Sequence, residues 1–128
     1  CHATNSLPGK TSVFDQMRCI VGERYKLIYN LLPGLPWVPV DFSGTEMFAE
    51  LKRMHKSGEL DTLSSRLYFS PTRPMFELYD LRNDSCEQHN LIDDPALKEI
   101  RNDLILRLTY KMIEDEDFVT LPHPKIYE

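Results

Sequence analysis

The sequence predicts an α+β domain in which a small antiparallel sheet is closed on one face by a C-terminal amphipathic helix. Three observations carry that expectation. Two β-rich runs are joined by a short turn, Phe76–Leu81 has a strand pattern, and a long apolar stripe follows a proline-marked helix start. At 128 residues the chain fits one domain spanning 1–128, because a chain of this size buries roughly 65–70% of its unfolded surface and needs no staples. Nine prolines against five glycines point to long, stiff connections rather than to disorder.

The opening residues, through Asn5-Ser6-Leu7-Pro8-Gly9-Lys10, have no periodicity and read as a loop. Met17–Val21 and Arg24–Asn30 are rich in β-branched and aromatic residues, and Gly22-Glu23 between them suits a hairpin turn. In the second run Tyr25, Leu27 and Tyr29 share one face and Arg24, Lys26 and Ile28 the other, so one side is expected buried and the other partly wet. Leu31–Phe42 carries Pro33, Pro36 and Pro39 around Trp37. Proline cannot donate to a strand ladder, so this stretch reads as an extended loop with an aromatic anchor.

Ser43-Gly44-Thr45-Glu46 fits a capping box, in which the Ser43 hydroxyl and the Glu46 carboxylate each satisfy an unpaired amide. Met47, Phe48, Leu51 and Met54 follow at helical spacing, predicting a helix over 44–56 that ends near Ser57-Gly58. Leu60–Ser70 supports two readings: Leu60 and Leu63 suit a helical turn, whereas Arg66-Leu67-Tyr68-Phe69 suits a short strand. Phe76–Leu81 reads as a strand and Arg82–Asn90 as a polar turn. Asp94-Pro95 then supplies a cap followed by proline at the first helical position. Leu97, Ile100, Leu104, Leu108 and Met112 repeat at three and four residues, drawing one stripe to lie across a sheet, with Lys98, Glu99, Arg101 and Asp103 toward water. The tail from Asp115 is expected along the surface.

A formal charge of -5 without a Lys/Arg block argues against nucleic acid as a partner. No apolar run approaches the roughly 20 residues that span a bilayer, so no membrane partner is expected. The start Cys1-His2-Ala3 reads as neither an initiator nor a signal peptide, which predicts a chain beginning inside a longer one. Cys1, Cys19 and Cys86 are odd in number and widely spaced, fitting neither a disulfide framework nor a C-x-x-C metal site. Asn83-Asp84-Ser85 matches the N-glycosylation acceptor pattern, which matters only in a secreted eukaryotic protein.

His2, His55, His89 and His123 lie too far apart for a metal motif. Asp93-Asp94 is the one pair that could suit a hard cation, and capping with the helix dipole explains it more simply. Glu114-Asp115-Glu116-Asp117 reads as a solvated helix end. Tyr25, Tyr29, Trp37 and Phe42 could form a platform for a sugar ring or, more simply, core and loop anchors. Lys10 is the basic group best placed to face a ligand, because loops on a rigid scaffold carry much binding chemistry. An exposed lysine without a role fits the same sequence.

Arg73-Pro74-Met75-Phe76-Glu77-Leu78-Tyr79-Asp80-Leu81, followed by Asn83-Asp84-Ser85-Cys86-Glu87-Gln88-His89-Asn90-Leu91, resembles the C-terminal signature of sulfatases: R-P-x-x-E-L-Y-D-L, then N-D-P-x-E-x-x-N-L, then a long helix. Ser85 stands where the family usually has proline. Asp15–Asn30 resembles the sulfatase stretch Y-x-P-M-R-x-V-R-x-x-R-Y-K-L-I-x-N, departing from it at Phe14-Asp15-Gln16 and at Gly22. The loop and helix between these stretches are similar to the insert of the heparan N-sulfatase (N-sulfoglucosamine sulfohydrolase) branch and its bacterial relatives. The resemblance covers about residues 4–122.

The resemblance implies the C-terminal subdomain of an alkaline-phosphatase-like fold, with about four strands, packed on a catalytic domain and completing the rim of its substrate cleft. The parent enzyme would hydrolyse a sulfate ester or N-sulfate on a glycosaminoglycan-type sugar, in a secreted, periplasmic or lysosomal setting. Its formylglycine and Ca²⁺ would be held outside this chain. The nearest approach to the C/S-x-P/A-x-R nucleophile motif, Cys1-His2-Ala3-Thr4-Asn5, lacks the arginine, so no catalytic or metal-binding residue is assigned. The opening loop around Asn5 and Lys10 would reach toward the sulfated sugar, making these two the candidate substrate-binding residues. The competing expectation is a free-standing, non-catalytic carbohydrate-binding or interaction module on the same scaffold, since fold does not dictate function.

Overall fold

The computed structural model of the chain describes residues 2–5, 15–37 and 43–118, the first of these by backbone alone. Strands β1 (His2–Asn5), β2 (Asp15–Val21), β3 (Tyr25–Asn30) and β4 (Phe76–Asp80) run antiparallel, side by side in chain order. His2–Asn5, expected as loop, is therefore strand: it pairs with the outer edge of β2, with Asn5 opposite Asp15. An unpaired strand edge offers a ladder of donors and acceptors that local composition does not reveal. The β2–β3 hairpin turns through Gly22, whose amide donates to the Tyr25 carbonyl at 2.9 Å.

Register decides which side chains share a face. Ile20 faces Leu27 across β2–β3, and Leu27 faces Leu78 across β3–β4. With a period of two, Ile20, Tyr25, Leu27, Tyr29, Phe76 and Leu78 point to one side. Helix α3 (Lys98–Glu114) covers that side. Leu27, Leu78, Leu104 and Leu108 form the buried centre, ringed by Ile20, Tyr25, Tyr29, Phe76, Leu97, Ile100 and Met112, so the apolar stripe lies where its periodicity predicts. Burying each such leucine contributes about 1.5–3 kcal/mol. Tyr29 and Phe76 stack with ring centres 4.8 Å apart. The structure thus has the α+β class, with the last helix packed on an antiparallel sheet.

Asp94 Oδ1 accepts from the Ala96 amide at 2.9 Å, starting a 3₁₀ turn (Pro95–Leu97) that runs on into α3. Arg101, expected toward water, is half-buried and donates to the Ile92 carbonyl at 2.9 Å. The acidic end is not wholly solvated either. Arg18, with a side chain 6% exposed, donates through Nη2 to Asp117 Oδ1 at 2.7 Å and through Nε to Oδ2, fastening the chain after α3 to β2.

Helix α1 (Glu46–Ser57) starts two residues later than the capping-box reading placed it. Thr45 is extended and accepts from the Phe48 amide at 3.3 Å, whereas Ser43 and Gly44 lie in the preceding turn. Gly58 closes α1 at φ 77°, a left-handed conformation that costs glycine little. The ambiguous stretch is helix α2 (Thr62–Phe69), because Asp61 accepts from the Ser64 amide at 2.9 Å and caps it. Phe69 of α2 stacks on Phe48 and on His55 of α1, at 5.8 and 4.5 Å between ring centres.

Candidate functional site

The sheet face turned away from α3 carries Met17, Ile28, Asn30, Glu77 and Tyr79, by the same alternation that sends Leu27 and Leu78 to the core. These side chains floor a cleft of about 410 Å³. Arg66, Leu67 and Tyr68 of α2 line another side, Trp37 the approach from the proline-rich loop, and Glu87, Gln88 and Asn90 the turn after β4.

The floor is a polar cluster that pairing register assembles. Ile28 sits opposite Glu77, which places Asn30 diagonally across on the same face. Asn30, 1% exposed, donates from Nδ2 to Glu77 Oε1 at 2.5 Å and to the Pro74 carbonyl at 2.8 Å. The Tyr79 hydroxyl donates to the other Glu77 oxygen. One carboxylate is thus gripped by donors from two strands. Burial, and after it the Glu77 carboxylate, pushes the Tyr79 phenol well above the usual tyrosine range, so it stays a neutral donor.

At the mouth, Lys26 Nζ pairs with Glu87 Oε2 at 2.7 Å. Glu87 has φ 54°, a left-handed conformation unusual for a residue with a side chain. The turn holding it is folded by Asp84, which accepts from the Gln88 and His89 amides at 3.0 and 2.7 Å. Those amides hold the Asp84 carboxyl below its ordinary range. Arg66 Nη2 donates to the Gln88 carbonyl at 2.7 Å, tying α2 to the same turn. The aromatic wall is Trp37 against Tyr68, ring centres 5.7 Å apart and tilted by 45°. Arg73 grips Asp15 in a two-pronged pair at 2.7 and 2.9 Å, and its amide donates to the Pro33 carbonyl at 2.9 Å, anchoring the loop that carries Trp37.

Of the candidate binding residues, Lys10 lies outside the described residues, and Asn5 is described only by its backbone position at the end of β1. Phe42 also lies outside them. Tyr25 and Tyr29 join the core under α3 and form no platform with Trp37, which goes to the cleft. Asp94 is occupied as a cap. Among the described residues no three His, Cys, Asp or Glu side chains converge as a metal-holding group. The resemblance puts Ca²⁺ on another part of the parent enzyme, and none of the described residues is assigned to hold it.

Glu77, Tyr79, Asn30, Glu87, Arg66 and Tyr68 were not singled out as site residues from the sequence. A local signal exists for two of them: Glu77 and Tyr79 are the polar alternates flanking Leu78, which marks a second face with its own role. Comparison of the chain with protein-family models and with curated proteins found no match.

Proposed function

We propose that this chain is the C-terminal domain of a sulfatase acting on glycosaminoglycan-type sugars, completing the fold and the rim of the substrate cleft without being catalytic alone. One observation carries the reading. The two stretches that resemble sulfatase motifs are far apart in sequence, yet their polar residues are each other's partners. Asn30 bonds Glu77, Arg24 pairs with Asp80 and Lys26 with Glu87.

Each of these pairs joins 24–30 to 77–87, so residues of the two stretches pack as one unit. The Arg24–Asp80 pair illustrates the point: the Arg24 guanidinium, aided by the Asn83 side chain and the Arg82 amide, holds the Asp80 carboxyl far below its usual range. In this reading the formylglycine nucleophile and Ca²⁺ belong to a catalytic domain that is the partner of this one, and the opening loop with Asn5 and Lys10 approaches the sulfated sugar.

The test is expression of the complete reading frame and measurement of sulfate release from N-sulfoglucosamine and from O-sulfated sugars. Release from either class is expected, with the preferred class naming the bond cut. A frame without a C-x-P-S-R-like segment and an Asp-Asp pair, or a protein releasing no sulfate, would overturn the reading. Lys10→Ala is expected to raise KM, and unchanged KM and kcat would remove the role given to that loop.

A further inference from the structure

We propose that the cleft between α2 and the far face of the sheet is a binding site for a neutral sugar ring, with Trp37 and Tyr68 as its stacking wall and Arg66, Glu77 and Glu87 as its hydrogen-bonding groups. This goes beyond the sulfatase reading and does not rest on it, since every residue invoked is on this chain.

Size is the first constraint. A volume of about 410 Å³ lies within the roughly 300–1,000 Å³ of ordinary small-molecule sites. The wall is the second. Trp37 keeps 37% of its surface exposed beside Tyr68, and a flat aromatic surface facing a cleft suits the apolar C–H face of a pyranose.

Polar chemistry narrows the choice further. Glu77 and Glu87 each present a carboxylate already oriented by protein donors, with lone pairs able to accept further hydroxyl groups. Arg66 donates to the Gln88 carbonyl and forms no ion pair with a carboxylate among the described residues, so its guanidinium has donors to offer. A wholly apolar occupant would take these groups out of water without offering partners for their remaining donors and lone pairs. A free anion would meet two carboxylates. A ring bearing several hydroxyls, each both donor and acceptor, matches a lining of mixed sign.

The turn at the mouth supplies an independent sign. Glu87 sits at φ 54° although it is not glycine, and such conformations persist where surrounding contacts over-determine them, often at ligand clamps. Here the Lys26 ion pair and the Asp84-centred turn hold it with its side chain on the cleft.

Trp37 is the single tryptophan of the chain, so its fluorescence reports on this cleft alone. Titration of the full chain with N-acetylglucosamine and its β-1,4-linked disaccharide, with N-sulfoglucosamine and glycerol as comparisons, should give a saturable emission change for the neutral sugars. Arg66→Ala, at an exposed position, should weaken that binding about tenfold while leaving the circular dichroism unchanged, as expected for loss of a hydrogen bond from a charged donor. Glu87→Gln should weaken it as well. A linear response equal to that of glycerol, or an affinity unchanged from the parent's in both variants, would overturn the proposal. Tenfold tighter binding of N-sulfoglucosamine than of the neutral sugars would overturn the choice of a neutral ring. Sulfate release by the complete protein is a separate readout, so either proposal can fail without the other.

Discussion

On the α3 side of the sheet, Leu27 and Leu78 are fully buried beneath Leu104 and Leu108, whereas on the α2 side the same two strands present Ile28, Asn30, Glu77 and Tyr79 to a cleft of about 410 Å³. The first face is closed by non-directional burial of apolar area, which tolerates no void without loss of stability. The second is held by directional bonds between strands, which fix side-chain positions while leaving space between elements. A difference of one residue in strand position separates the two outcomes. Stability is concentrated on one face, which frees the other to be shaped for recognition.

The sharpest way to break that contrast is to delete apolar volume on each face. Leu78→Ala should lower stability by about 2–5 kcal/mol, because a fully buried side chain leaves a cavity among packed neighbours. A urea-unfolding midpoint almost unchanged from the parent's would mean that α3 does not close the core. Ile28→Ala, on the cleft side and only half-buried, should cost about 1–2 kcal/mol by the same measurement, since it already borders open space. Equal losses at both positions would erase the distinction between the faces.

The polar face makes its own prediction through Tyr79. The phenol titrates above its unfolded value of about 10. Its contribution to stability is therefore fully present below about pH 10, and is lost as pH rises through the higher folded-state value. Absorbance at 295 nm should show a phenol step at high pH that Tyr79→Phe removes, and Glu77→Gln should lower the pH at which that step occurs. A high-pH titration curve left unchanged by both Tyr79→Phe and Glu77→Gln would show that the floor cluster is not formed. The smallest effect is expected for Arg66→Ala, within about 0.5 kcal/mol of the parent, because an exposed arginine bonded to one carbonyl adds little to folding. A larger loss would assign Arg66 to the scaffold instead of the cleft.

How far the sequence could be read depended on how local each signal was. The stripe from Leu97 to Met112 and the β2–β3 hairpin were legible because period and turn chemistry lie within a dozen residues. Helix α2 was not, since Arg66-Leu67-Tyr68-Phe69 looks strand-like until Asp61 is seen to cap it and Phe69 to stack on α1. The α1 start was misplaced by two residues because both Ser43 and Thr45 are able to cap, and only backbone geometry at 45 selects between them. Asp117 looked like part of a solvated run because its partner, Arg18, is 99 residues away.

By itself, then, the sequence determined the α+β class, the order of the main elements and the face on which the last helix lies, because alternation and helical spacing encode burial locally. Tertiary structure alone decided the cleft. It depends on the register that sets Ile28 opposite Glu77, and on the packing that brings Trp37, Tyr68 and Arg66 over the same face. Those meetings join residues tens of positions apart, and no local periodicity carries that information.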